Sequence, residues 1–419
     1  MRDSFQREIN YIRISITDRC NLCCRYCRPQ GTPDGADRCC AEAAAQDGDD
    51  NHGAAVCQRL SPAGAAPARY LTSEEFVEVA EAAASLGITR VKITGGEPLL
   101  RSDCCRLIGE LKRIPGIEQV TLTTNGVLLE KRLPQLLEAG LDAVNVSLDT
   151  VHREMFRQLT GVDAYEDVRR GIKAALTAGL PVKINSVLLC GINDGEWLEL
   201  AGLARSQPLQ IRFIELMPIG AAGSGSGKDS RHGAVIGGCG NAQALPPLAG
   251  ISGDEILRKL IEVYPDLRED TAAYGNGPAK YVHIPGFQGS IGFISALHGK
   301  FCADCNRIRL TSTGRLKPCL CYGESVDVRS ILRGRASDEP RTADASAPAG
   351  AETCAKPAVT GFPAARRSKA AGAMRAPFAD RRQALAAAIR GAVVAKPGGH
   401  CFDRPEEITE DAPMSGIGG

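Results

Sequence analysis

The sequence predicts an α/β protein: a parallel sheet, open or curled into a partial barrel, followed by a smaller α+β segment. Three observations carry this. Apolar strand-like runs occur at 11–17, 90–94, 118–123, 142–148, 182–189 and 209–216. Helix-period segments separate them at 72–87, 101–113, 128–139, 164–179 and 194–205. Strands alternating with helices join side by side in parallel, because each crossover needs a helix to return the chain to the same edge. After residue 250 the alternation stops, leaving a helix near 253–264 and short strands near 280–284, 290–295 and 306–311.

The local signals agree with these elements. Thr72-Ser-Glu-Glu75 reads as a capping box opening the first helix. Gly87, Gly140 and Gly179 stand where three helices should stop. Three stretches break the pattern. Residues 31–69 are rich in Ala, Gly, Asp and Cys, residues 221–250 carry Gly-Ser repeats, and residues 335–377 are rich in Ala, Pro, Arg and Ser. Each is expected to be a flexible insertion. The organisation expected is 1–220 as the strand-and-helix barrel, 221–250 as a linker-like insertion, and 251–419 as a C-terminal region.

Composition excludes several classes. Of 419 residues, 43% are hydrophobic and 24% charged, which is the range of folded globular chains. The net charge of +1 implies no broad electrostatic grip on nucleic acid. No apolar run reaches the ~18 residues of a membrane span. Seventeen cysteines, an odd number in a long chain, read as metal ligands rather than a disulfide framework.

In parallel α/β sheets, chemistry collects at the C-terminal ends of the strands. The unusual residues sit there: Asp18–Cys27, Thr94-Gly-Gly-Glu-Pro98, Thr124-Asn-Gly126, Ser147-Leu-Asp149 and Glu215-Leu-Met-Pro218. Cys20, Cys24 and Cys27 have the spacing CxxxCxxC, and three thiolates on a short loop can hold three irons of a [4Fe–4S] cube. The fourth iron would stay open for a bidentate amino-acid ligand, and a zinc knuckle is the structural alternative. Cys23 is expected to be a bystander. The paired glycines of Gly95-Gly96 allow close approach of a ligand to the backbone, while Glu97 can order the turn or accept from an ammonium.

Cys302, Cys305 and Cys319 form a second set, with Asn306-Arg-Ile-Arg-Leu310 between them. Arg307 and Arg309 share one strand face and suit an anion beside a metal cluster. A structural zinc site with Cys321 as fourth ligand stays open here.

Together these motifs resemble the GTP 3′,8-cyclase family of radical S-adenosylmethionine (SAM) enzymes, which open molybdenum cofactor biosynthesis. The resemblance runs from Asp3-Ser-Phe5 and Arg13-Ile-Ser15 to the terminal Gly418-Gly419, outside the three insertions. It implies a partial (β/α)6 TIM-type barrel with a C-terminal α+β extension covering its open side. It implies a lyase with two [4Fe–4S] clusters, on Cys20, Cys24 and Cys27 and on Cys302, Cys305 and Cys319, the second meeting the guanine of GTP through its open iron. SAM would contact Tyr26, Gly96, Ser147 and Met217; GTP would contact Arg13, Lys92, Thr123, Lys183, Arg212, Arg307, Ile308 and Arg309. Arg13, Arg307, Arg309, Gly418 and Gly419 would serve catalysis, with the tail reaching into the barrel near GTP.

The implied reaction cleaves SAM reductively to a 5′-deoxyadenosyl radical, which takes the C3′ hydrogen of GTP. C3′ then attacks C8, giving (8S)-3′,8-cyclo-7,8-dihydroguanosine 5′-triphosphate. The implied partners are a low-potential electron donor and cyclic pyranopterin monophosphate synthase as the next enzyme, with no nucleic acid and no membrane; a homodimer is left open. The Ala/Gly-rich inserts point to a eukaryotic gene from a GC-rich genome, for which the family implies the mitochondrial matrix with the transit peptide outside this chain. A bacterial source would imply the cytoplasm. Two other readings compete: a peptide-modifying radical enzyme with an auxiliary cluster, and a non-catalytic iron–sulfur or zinc protein.

Overall fold

The computed structural model describes residues 1–27, 69–219, 248–272, 274–299, 301–334, 378–404, 407–410, 412 and 414–417. Apart from Arg69 and residues 248–250, the three expected insertions lie outside the described residues, with Cys39, Cys40 and Cys57. So do Gly418 and Gly419, and with them the expectation for the tail.

All six expected strands form: β1 (Tyr11–Ser15), β2 (Arg90–Thr94), β3 (Gln119–Thr124), β4 (Ala143–Ser147), β5 (Val182–Ser186) and β6 (Gln210–Ile214). They pair in chain order and in parallel. Side chains alternate across a strand, and here the two faces differ in chemistry. One face presents Ile12, Ile14, Val91, Ile93, Val120, Leu122, Val144, Val146, Val182, Ile184, Ile211 and Phe213, all buried in the main core. The other face presents Arg13, Lys92, Thr121, Thr123, Asn145, Lys183, Asn185 and Arg212, which line a cavity. A sheet buried on both faces would ordinarily read as continuous apolar runs. Here the inner face is polar instead and lines a cavity.

The core face is covered by α1 (Ser73–Ala84), α2 (Cys104–Lys112), α3 (Leu129–Glu138), α4 (Arg153–Thr160), α5 (Tyr165–Thr177) and α6 (Trp197–Ser206). The capping box at α1 is complete: Glu75 N donates to Thr72 Oγ1 at 3.2 Å, and Thr72 N donates to Glu75 Oε2 at 2.9 Å. Gly87, Gly140 and Gly179 all adopt positive φ, as their stop positions require. The sequence pattern did not reveal α4, whose eight residues are too few to establish a period.

Beyond residue 250 the expected α+β extension forms, and its strands join the same sheet. After α7 (Gly253–Val263) come β7 (Arg268–Asp270), β8 (Lys280–His283) and β9 (Ser290–Ile294), then β10 (Arg307–Leu310), β11 (Arg315–Lys317) and β12 (Val326–Asp327). β9 pairs parallel with β6, and β10 pairs parallel with β1. The sheet order is β12-β11-β10-β1-β2-β3-β4-β5-β6-β9-β8-β7, so the C-terminal region extends both edges of the sheet. β9 and β10 do not pair with each other, and the barrel stays open. The C-terminal extension thus reaches the open side from both rims.

Residues 248–250, expected to end an insertion, are tied down: Gly250 bridges Leu189, and Cys190 N donates to Ala249 O at 2.8 Å. A further helix, α8 (Val328–Arg333), and then α9 (Phe378–Val394) were not foreseen. α9 lies on α1 and buries Leu385, Ile389, Ala392 and Val393 in the main core. Among the described residues, no helix is long and apolar enough to cross a membrane.

Candidate active site

The inner face of the sheet and the loops at its C-terminal rim enclose a cavity of about 310 Å³. Cys20, Cys24 and Cys27 reach it from the loop after β1. Cys23 does not line it; its backbone N–H is spent on Thr160 O at 2.8 Å, at the end of α4.

The Gly-Gly-Glu loop after β2 holds this cysteine loop. Gly96 N donates to Thr17 O and Glu97 N to Arg19 O, both at 2.7 Å. A Cβ on Gly96 would stand 2.1 Å from Arg19 O, and one on Gly95 2.6 Å from Thr17 O. The paired glycines therefore let two loops of the chain touch. Glu97 settles the choice left open by the sequence. It is fully buried and accepts from Leu99 N (3.0 Å), Thr124 Oγ1 (2.7 Å) and Asn125 N (2.7 Å). It joins its own turn to the end of β3 and is not among the residues lining the cavity. Burial pushes its carboxyl up to about 7, against those three donors.

The four residues expected at SAM, Tyr26, Gly96, Ser147 and Met217, all line the cavity. Tyr26 Oη donates to Asp149 Oδ2 at 2.9 Å, and Val187 N donates to Asp149 Oδ1 at 2.8 Å. Burial raises the Asp149 carboxyl to about 6.

Cys302, Cys305 and Cys319 face the same cavity. Burial would raise the Cys305 thiol, but Arg307 and Lys396 more than offset it and bring it to about 7. Cys321 is turned away: it is fully buried, outside the cavity lining, with its Sγ 3.4 Å from Cys401 Sγ. The fourth thiolate that a closed zinc site would need is therefore not delivered by Cys321.

Arg13, Lys92, Lys183, Arg212, Arg307 and Arg309 all line the cavity, joined by Lys396. Strand register explains part of the convergence, since Arg309, Arg13 and Lys92 are direct partners across β10, β1 and β2. Asp149 is the one carboxylate among the described residues that line it. The electrostatics register this imbalance. Burial, then Arg307 and Arg212, lower Arg13 to about 10 despite the opposing effect of Tyr11. Burial with Arg13 and Arg307 lowers Arg309 to about 9. Burial beside Arg212 lowers Lys183 to about 8, and burial with four surrounding cations holds Lys92 well below its usual range. Arg212 Nε and Asn185 Oδ1 are buried with no hydrogen-bond partner. Such a cavity is organised for a polyanion with hydrogen-bonding groups of its own.

Thr123 also lines the cavity and accepts from Asn145 Nδ2 at 3.3 Å. Ile308 departs from expectation: its side chain is fully buried in the core, on the opposite face of β10 from Arg307 and Arg309. Sequence reading missed Lys396, His400 and Phe402, and the loop Gly275-Asn-Gly-Pro278, which line the cavity too. Asn276 Nδ2 donates to Gln119 Oε1 at 2.5 Å. The Gly-Asn-Gly-Pro run was a visible turn signal; nothing in the sequence placed it at the cavity.

The chain matches the model of the radical SAM superfamily over residues 14–204 and that of the molybdenum cofactor synthesis C-terminal region over 238–347. It is thus a radical SAM protein carrying a second cysteine-bearing region. It is 41% identical to the GTP 3′,8-cyclase of Moorella thermoacetica, over 81% of this chain and 89% of that one. It is 40% identical to the GTP 3′,8-cyclase of Heliobacterium modesticaldum over the same shares. The chain belongs to the GTP 3′,8-cyclase family. Among solved structures it is similar to "Native anSMEcpe with bound AdoMet", at 16% identity and a TM-score of 0.38 over 61% of this chain and 60% of that one.

Proposed function

We propose that the cavity is the catalytic chamber of a GTP 3′,8-cyclase, with SAM at the β1, β2 and β4 loop side and GTP on the cationic inner face. The chain is a radical SAM lyase of molybdenum cofactor biosynthesis that uses two [4Fe–4S] clusters. Cys20, Cys24 and Cys27 would hold one and Cys302, Cys305 and Cys319 the other; both sets line the cavity, which fits two open cubes facing one chamber. The chemistry these groups supply when bound is reductive cleavage of SAM, hydrogen abstraction at C3′ of GTP and closure of C3′ onto C8.

The chain's own residues do the rest. Arg13, Lys92, Lys183, Arg212, Arg307 and Arg309 bind the triphosphate and offset its charge, and its oxygens in turn relieve the crowding of like charges on the inner face. Asn185 Oδ1 supplies an acceptor to a bound hydroxyl or amine. Asp149 fixes Tyr26 against the first cysteine set. Enclosure by the sheet keeps water from the reacting carbons. A low-potential donor for the first cluster and hand-over of the cyclic nucleotide to cyclic pyranopterin monophosphate synthase belong to the same proposal. So does a mitochondrial matrix location for a eukaryotic source, or a cytoplasmic one otherwise.

The observation that carries the reading is seven cations and two three-thiol sets lining one cavity with a single carboxylate among the described residues. Anaerobic reconstitution tests it. About eight irons per chain, four per cube, and a cyclised GTP on adding SAM and reductant are expected. Zinc alone, or SAM cleavage with GTP unchanged, would refute it.

A further inference from the structure

A short segment after α9, residues 395–404, crosses the second cysteine set. Its centre is Lys396, which is 4% exposed. Lys396 Nζ donates to Arg307 O at 2.9 Å and to Pro318 O at 2.8 Å, and its positive charge is felt at the Cys305 and Cys302 thiols. Arg307 stands two residues after Cys305, and Pro318 directly precedes Cys319. One ammonium thus joins both arms of the chain that carry those thiols. An ammonium has three donors, and two of them are spent on these carbonyls.

The third thiol is fixed by the same segment. His400 N donates to Cys302 Sγ at 3.3 Å. Arg7 couples the two strands of this clamp: its Nη1 donates to Cys302 O and its Nη2 to Pro397 O, both at 2.7 Å, with Asp3 Oδ2 on its Nε at 2.6 Å.

We propose that Lys396 is a positioning residue for the second iron–sulfur cluster, holding the Cys305 and Cys319 arms together and placing a positive charge against the cluster's thiolates. The proposal rests on the assignment of Cys302, Cys305 and Cys319 as ligands. Cluster potentials follow net charge and hydrogen bonds to sulfur. A cation held beside the ligand sulfurs makes an added electron easier to accept. A neutral amide can still donate to the two carbonyls but leaves the charge on the thiolates uncompensated.

The test compares three full-length proteins, each carrying Cys24→Ala so that only the second cluster remains. They are the parent, Lys396→Gln and Lys396→Arg. Iron is counted, at about four per chain expected, and the midpoint potential is read by EPR-monitored titration. The proposal expects Lys396→Gln to keep its iron with the midpoint displaced to lower potential, and Lys396→Arg to stay near the parent. If Lys396→Gln sheds its cluster, recovery of iron in Lys396→Arg supports the same role. An unchanged midpoint in Lys396→Gln overturns the proposal, as does equal displacement or equal loss in both variants. A parent protein without iron would overturn the ligand assignment itself, and the proposal with it.

Discussion

Gly96→Ala probes the joint between the loops after β1 and β2, on the side of the cavity proposed for SAM. The new Cβ would stand 2.1 Å from Arg19 O and 2.6 Å from Arg19 C, and both are backbone atoms that no rotamer change can move. The loops must part, which loses the 2.7 Å bonds from Gly96 N to Thr17 O and from Glu97 N to Arg19 O. Two such bonds contribute about 1 kcal/mol each, and overpacking adds about 1–3 kcal/mol. The total, about 3–5 kcal/mol, is at or below the low end of the stability of a folded domain, about 5–15 kcal/mol. The cheaper response is for the loop carrying Cys20, Cys24 and Cys27 to move while the sheet stays intact. Reconstituted Gly96→Ala should then hold about four irons instead of about eight, keep its circular dichroism spectrum, and lose SAM cleavage. Full iron content with wild-type cleavage would show that the glycines do not clamp the cysteine loop.

Three further outcomes are expected. Burial beside Arg212 depresses Lys183 to about 8, so its charge is present below that pH and lost above it. GTP favours the charged form, so binding above pH 8 should take up a proton; calorimetry in buffers of different ionisation enthalpy reads this, and equal uptake in Lys183→Met would contradict it. Burial raises Glu97 from 4.5 to about 7, so its contribution to stability is fully present below pH 4.5 and lost as pH rises through 7, roughly 3 kcal/mol in all. The melting temperature of Glu97→Gln should gain on the parent as pH rises from about 5 to about 7, and a constant gap over that range would refute the shift. Cys305→Ala should leave reductive SAM cleavage running without cyclised GTP, measured by chromatography of both products; normal cyclisation would dismiss the second cysteine set.

What was legible in the sequence follows from which forces act locally. Period-two alternation in segments such as Tyr11–Ser15 and Val182–Ser186 reports strand and face at once, so the six-strand core could be placed. Metal-type cysteine spacing is local too, and it picked out six thiols that line one cavity. Long-range pairing left no such trace. β10 lies beside β1, almost 300 positions away in the chain, and α9 covers α1, yet neither partner's residues announce the other. Lys396 looks like any surface lysine until the fold closes over it. Glu97 was legible as a motif and ambiguous in role, since only burial distinguishes a turn-ordering carboxylate from one that meets a ligand. Ile308 was carried into the GTP site by the company of two arginines, although strand alternation places its side chain in the core.

The central claim is that one chamber brings SAM chemistry to C3′ of GTP. Incubation of the anaerobically reconstituted chain with SAM, reductant and GTP deuterated at C3′ tests it most directly, by mass spectrometry of the 5′-deoxyadenosine formed. Deuterium is expected in the 5′-deoxyadenosine and absent from the cyclised nucleotide. Unlabelled 5′-deoxyadenosine alongside a nucleotide that keeps its C3′ deuterium would contradict it.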